Sequence, residues 1–295
     1  MRITLPLLLA LALSAPLARA DCPPAGWDAA KLQALKDSKF VVSDASKRTK
    51  LANGLLDCLA SPDPALRDGI AFEAWSTWLR ADQLDEATRR AALQRLQSQL
   101  TAEDPAGFEQ PFSALVLSEV ARTDRIAPWM TAEEREALLL HATAYVGSVR
   151  DYRGFTAGEG WRHGVAHGAD LLLQLALNPA YDKSRLERIL DTVATQVSPE
   201  GQAYVSGEPE RLGRPVLFIA ARGLYSEAEW NAWLAKVAAA PEGGWESVFN
   251  DAGGLARRHD VRAFLLGLYA QAAESKQPGV QAMLPGLRSQ LDAVP

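Results

Sequence analysis

AYDKSRLERILDTVATQV (residues 180–197) lies between Asn178-Pro179 and Ser198-Pro199, and its apolar residues Leu186, Ile189, Leu190 and Val193 recur at steps of three and four. That period puts them on one face of an α-helix, whereas a strand needs alternation at every second residue. The same spacing runs through Leu51, Leu55, Cys58 and Leu59 and through Leu115, Val116 and Val120. No convincing run of strands accompanies it. Thr131 with Glu134, and Ser226 with Glu229, have capping-box spacing ahead of apolar stretches, which predicts two helix starts. Breakers such as Pro62 and Pro64, Asp104-Pro105, Pro128 and Pro241-Glu242-Gly243-Gly244 divide the chain into about ten helices of roughly 12 to 20 residues. Short links imply antiparallel neighbours, so the expected fold is all-α, with antiparallel helix pairs stacked as an α/α superhelix or toroid-like helical repeat. The pattern WxxWL at Trp75–Leu79 and again at Trp230–Leu234 is a faint internal echo that fits stacking. Tryptophans three apart also simply pack one helix face.

At the N-terminus, Arg2, the apolar run Leu5 to Leu13 and Ala18-Arg19-Ala20 have the form of a secretory signal, so residues 1–20 are expected to be removed and 21–295 to form a single all-helical domain. Export predicts a periplasmic or secreted location, and there two cysteines, Cys22 and Cys58, are expected to pair as a structural disulfide. The composition is globular, with 48% hydrophobic and 23% charged residues. No later segment has the length of apolar sequence that a membrane span requires. Without Arg2 and Arg19 the 31 basic residues become 29 against 36 acidic ones, a balance of −7. That sign argues against nucleic acid as a partner.

One stretch departs from the helical pattern. Residues 150–174, RDYRGFTAGEGWRHGVAHGADLLLQ, hold five glycines and two of the four histidines. On a helix, four residues turn through a net of about 40° and seven through about −20°, so His163, His167 and Asp170 share a polar stripe opposite Val165, Ala169, Leu172 and Ala176. Gly160, Gly164 and Gly168 recur at every fourth position, an expensive choice in a helix interior unless another backbone or a ligand approaches closely. Two imidazoles four residues apart can hold one divalent metal such as zinc, with Asp170 or His141 as a third ligand. The zinc-protease pattern fails, because Gly164 stands where its glutamate would be. Without metal, His163 or His167 is a candidate general acid or base, with Asp170 orienting it and Arg153 or Arg162 holding an anion. Asp151 and Glu159 are acidic alternatives, and Trp161 adds an aromatic surface. A further candidate is Glu208-Pro209-Glu210-Arg211-Leu212, opening a helix after the loop Tyr204 to Gly207. Its acids suit a first turn, and Glu159 with Glu210 would suit glycoside hydrolysis if the fold brought them within about 5 to 9.5 Å. Against all these stands a structural reading, in which the histidines satisfy buried polar groups.

The run Asp151, Arg153-Gly154, Gly160-Trp161, His163, Ala166-His167 and Asp170 resembles the signature of an uncharacterised bacterial family designated domain of unknown function 2785. Weaker similarity extends through Pro111-Phe112-Ser113 to Glu119 and through Glu208 to Leu212, covering roughly residues 60–240. The family pattern carries arginine where this chain has Pro111. The resemblance implies an all-helical, repeat-like fold and carries no reaction with it. The leading expectation is an exported protein whose groove, lined by His163, His167, Asp170, Arg153 and Trp161, binds or hydrolyses a small-molecule or envelope-polymer ligand. The alternative is a non-enzymatic scaffold that holds a peptide or protein on a concave face.

Overall fold

The computed structural model describes residues 22–295, and the segment expected to be a secretory signal, residues 1–20, lies outside them. Helices α1 (Ala29–Asp37) and α2 (Ala45–Leu55) lead through a 3-10 turn, Leu56–Ala60, into a short α3 (Pro64–Leu66). A π-helical turn, Arg67–Phe72, joins α3 to α4 (Glu73–Arg80). Then follow α5 (Glu86–Gln99), α6 (Glu109–Ile126) and α7 (Ala132–Ser148). A two-strand hairpin, β1 (Phe155–Thr156) with β2 (Gly160–Trp161), precedes α8 (Gly164–Leu177) and α9 (Lys183–Gln196). The chain ends in α10 (Glu208–Ala221), α11 (Glu227–Val237), α12 (Ala252–Glu274), α13 (Pro278–Gln281) and α14 (Leu284–Ala293).

The all-α expectation holds, with two corrections. Segment lengths run from 3 to 23 residues rather than clustering between 12 and 20, because the prolines and glycines mark turns without fixing how many helical residues lie between them. The glycine-rich stretch folds partly as a hairpin. The opening segment forms α9 as read: Asp182 caps it by accepting from the Arg185 amide, and Leu186, Ile189, Leu190 and Val193 are buried. Both capping boxes close reciprocally, Thr131 with Glu134 and Ser226 with Glu229. Trp75 and Trp78 are buried and donate to the carbonyls of Ala52 and Phe40 at 2.9 and 2.8 Å. Trp230 is buried beside Trp233, which donates to Leu190, so both tryptophan pairs serve helix packing. Cys22 and Cys58 are joined with 5.1 Å between their Cα atoms, tying the first described residues to the 3-10 turn. Among the described residues no helix is long and apolar enough to cross a membrane.

α8 is the centre of the packing. It lies against α6 and α10, with α7 alongside, and is buried nearly all round. The two-faced helix read from the sequence is therefore corrected: residues on the stripe side are also covered. The glycines explain how. A Cβ on Gly168 would stand 2.5 Å from Val146 Cγ2, and one on Gly164 3.2 Å from the Tyr145 hydroxyl, so α7 crosses where side chains are missing. Gly160 lies outside the helix, in β2, at φ +77°, a conformation glycine adopts without strain.

Candidate functional site

His163 ends the hairpin and caps α8 in the left-handed conformation, φ 57° and ψ 39°, rare for a residue with a Cβ and a frequent mark of a functional or tightly determined position. Its amide donates to the Arg153 carbonyl at 3.1 Å, and the Arg162 amide donates to Gly154 at 3.0 Å, so the loop 150–154 is laced to the helix start. Its ring stacks on Trp161, with centroids 4.7 Å apart and planes at 23°. Nε2 lies 3.1 Å from the Ser206 carbonyl, which can only accept, so Nε2 carries the proton. The same nitrogen is 3.5 Å from Glu208 Oε1.

Glu208 is the first residue of α10 and is buried. Its Oε2 accepts from the Ser206 amide at 2.9 Å. The one basic side chain within 4 Å of its carboxylate among the described residues is His163, which is charged only when protonated. Gly154 makes room for this arrangement, since a Cβ there would meet the Ser206 hydroxyl at 2.2 Å. Outside Glu208, the loop 150–155 and the loop 202–208 enclose a cleft of about 440 Å³ whose lining includes Arg150, Asp151, Arg153, Phe155, Tyr204 and Glu208. Burial would raise the Asp151 carboxyl, but the Arg153 guanidinium, donating through Nε at 2.8 Å, holds it below the usual carboxylate range. Behind the cleft wall, Asp260 of α12 accepts from the Tyr204 amide at 2.9 Å. Burial pushes Asp260 up to about 6.

The remaining expected site residues fall elsewhere. His167 is buried, with its ring edge-on to Phe112 at 5.0 Å, 5.7 Å from the His163 ring, and its Nδ1 has no hydrogen-bond partner. Asp170 is held by Arg211, through Nε at 2.9 Å and through Nη2, with Arg214 at 3.9 Å. These contacts tie α8 to α10, and no hydrogen bond between Asp170 and an imidazole is present among the described residues. His141 turns Nδ1 to the Ala137 carbonyl of its own helix. Among the described residues no three His, Cys, Asp or Glu side chains come together as a metal site, so the shell of His163 and His167 with Asp170 or His141 is not assembled. Glu159 pairs with Arg162 at 3.0 Å, while Glu210 lines a different cleft, between α10 and α12. These two acids do not share a site. Pro111, standing where the family pattern carries arginine, is buried in the first turn of α6.

Sequence reading missed Ser206, Tyr204 and Asp260, whose parts depend on backbone groups and on contacts across tens of residues. It also missed Arg67. This fully buried guanidinium donates to the carbonyls of Ser61 and Glu159, and it and Arg162 each lie 4.2 Å from the Phe108 ring centroid. The only prior hint was the glycine-rich context that Arg67 supports: a Cβ on Gly160 would come within 3.0 Å of Arg67 Nη2.

Burial depresses both imidazoles: His163 against the opposing pull of Glu208, and His167 strongly, with the neighbouring positive charges adding to the effect. As pH falls through the ordinary histidine value of about 6.5, the unfolded chain takes up more protons than the folded one. The stability gained by keeping these rings neutral is thus complete above about pH 6.5 and is lost on acidification. Asp260, raised to about 6, acts in the opposite direction at lower pH. The histidine effect is therefore clearest between about pH 7 and 6. Melting temperature is expected to fall over that interval, and to fall less in His167→Leu; equal slopes in thermal melts of the two proteins would contradict this assignment.

An all-helical protein with a polar loop-walled cleft beside a buried Glu208–His163 pair is the class these features define. Residues 96–270 match the family described as Protein of unknown function (DUF2785), and the chain belongs to that family. No curated protein and no solved structure matches the chain.

Proposed function

We propose that this protein is exported and binds a small ligand bearing hydroxyl or ammonium groups in the cleft between residues 150–155 and 202–208. The observation that carries this reading is Glu208: a buried carboxylate in a cleft lining, with one backbone donor and a histidine, and no arginine or lysine, as its partners among the described residues. A carboxylate removed from water is costly until donors satisfy its lone pairs. A ligand hydroxyl or ammonium group supplies those donors, and the Asp151–Arg153 pair at the rim offers both a donor and an acceptor to the rest of the molecule. Export is supported by the disulfide, a bond typical of oxidising compartments.

Binding is favoured over hydrolysis by the chemistry of the lining. A hydrolytic pair needs a proton donor opposite the base. Here Asp151 is held ionised by Arg153, the hydroxyls of Tyr152 and Tyr204 donate to the carbonyls of Val149 and Gln196, and the His163 Nε2 proton is directed to the Ser206 carbonyl. The test is titration of the purified protein with glucose, sorbitol and ethanolamine, followed by backbone NMR. At least one probe is expected to shift residues 150–155 and 202–208 saturably, and Glu208→Gln to weaken it about tenfold or more, the scale of a lost charge-assisted hydrogen bond. No saturable shift, or shifts unaffected by Glu208→Gln, would sink the reading.

A further inference from the structure

The cleft's outer edge is aromatic, although the rest of its lining is polar. Phe155, 61% exposed, lines the cleft from β1, and Trp161, 37% exposed, stands opposite Phe155 in the two-residue ladder, just outside the lining. The two rings meet at 5.2 Å with planes at 64°. Trp161 is fixed from behind by its stack on His163, so one part of the indole is spent on packing and the remainder is open to solvent. Val205, 87% exposed, adds an apolar group from the opposing loop. Aromatic groups left in water beside a polar cleft are an unfavourable arrangement for a surface with no partner, and such patches mark binding sites.

From this juxtaposition we infer that the ligand is a saccharide, with one sugar ring lying on the Phe155–Trp161 ledge and its hydroxyls reaching Glu208 and the Asp151–Arg153 pair. This rests on the reading of the cleft given above and narrows it. A sugar ring has an apolar face of C–H groups and a rim of hydroxyls that both donate and accept. The ledge matches the first, and the mixed carboxylate and guanidinium lining matches the second. An open-chain polyol has no flat face to set on the ledge. A nucleotide also has a flat face, but its phosphate would need a free cation, and of the two arginines in the lining Arg153 is paired with Asp151 while Arg150 donates to the Gly147 and Val149 carbonyls. The volume of about 440 Å³ suits one or two rings, and the exposed ledge lets further units of an oligosaccharide continue into solvent.

The experiment is calorimetric and NMR titration of the purified protein with chitotetraose, maltotetraose and cellotetraose, alongside sorbitol, ethanolamine and AMP. At least one tetrasaccharide is expected to bind with a dissociation constant of about 1 mM or tighter, more strongly than sorbitol or AMP. Trp161→Ala is expected to weaken it about tenfold or more and Phe155→Ala about threefold or more, with Trp161→Phe retaining most of the affinity. The ring stacked on His163 is Trp161 and not Phe155, so the Phe155 variant reports on the ledge even if Trp161→Ala disturbs the helix start. Binding of sorbitol, ethanolamine or AMP with dependence on Glu208 but none on Phe155 and Trp161 would overturn the saccharide assignment and leave the cleft reading in place. Absence of binding by every probe would overturn both.

Discussion

Arg67→Ala is expected to destabilise the protein by about 3 to 5 kcal/mol, the range for breaking a buried, hydrogen-bonded charge cluster by removing one partner. The π-helical turn places this guanidinium at zero exposure, within 2.7 Å of Asp68 through Nε. Its Nη1 donates to the Ser61 carbonyl at 2.9 Å and its Nη2 to the Glu159 carbonyl at 2.8 Å. The rings of Phe108 and Phe112 lie 4.2 and 4.8 Å from its central carbon. Burial lowers its affinity for a proton, and Asp68 opposes that shift. Truncation to alanine leaves the Asp68 carboxylate without its cation, two inward carbonyls without donors, and a void between two phenyl rings, so three separate losses add. Lysine is a poor replacement, because one ammonium cannot reproduce a planar fork that donates in two directions while stacking on rings. Because Glu159 sits at the turn of the hairpin and Phe112 touches His167, the same change is expected to loosen the hairpin and weaken any ligand held by the cleft. Urea unfolding monitored by circular dichroism measures the first effect. A loss below about 1 kcal/mol, the size of an ordinary surface change, would show that the guanidinium is dispensable.

Arg67 also illustrates where sequence reading stops. Periodicity identified α9, the spacing of Thr131 with Glu134 and Ser226 with Glu229 identified both capping boxes, and a count of two cysteines identified the Cys22–Cys58 pair. An arginine in a polar context reads as solvated, and nothing local announces that residues 92 positions away will supply its acceptor. Membership of the candidate site was more legible than its orientation. His163 and His167 are four apart whether the first is a helical residue or the left-handed cap that precedes the helix, so spacing alone cannot distinguish an open stripe from a covered one. Glu208 was legible as a first-turn acid, but its proximity to His163 depends on a contact across 45 positions, which local pattern does not encode. Of the signature run, the part that lines the cleft is Asp151 to Phe155, whereas His167 is buried and Asp170 is engaged by Arg211 between α8 and α10.

That division makes Asp170 the sharpest test of which residues hold the fold and which serve the cleft. Asp170→Ala is expected to destabilise by about 2 to 4 kcal/mol, near the lower part of the range for breaking a buried pair because Arg211 is still about one-third exposed. The loss arises chiefly from the cation left behind. Arg211 would stand beside α8 with only Arg214 for company, one positive charge near another. Arg211→Ala removes that repulsion and leaves the less exposed carboxylate near Arg214, so it is expected to be the milder change. The double variant should then be more stable than the sum of the two single losses predicts, with a coupling of about 1 to 3 kcal/mol. A functional role predicts a different pattern. If Asp170 oriented an imidazole for ligand or proton transfer, its removal would abolish binding to the cleft while leaving the unfolding midpoint almost unchanged, and the cycle with Arg211 would close near zero. Denaturant unfolding of the four proteins, paired with the same titrations used for Glu208→Gln, separates these outcomes. The bidentate geometry, the 41 positions between the partners and their positions on two packed helices favour the structural result.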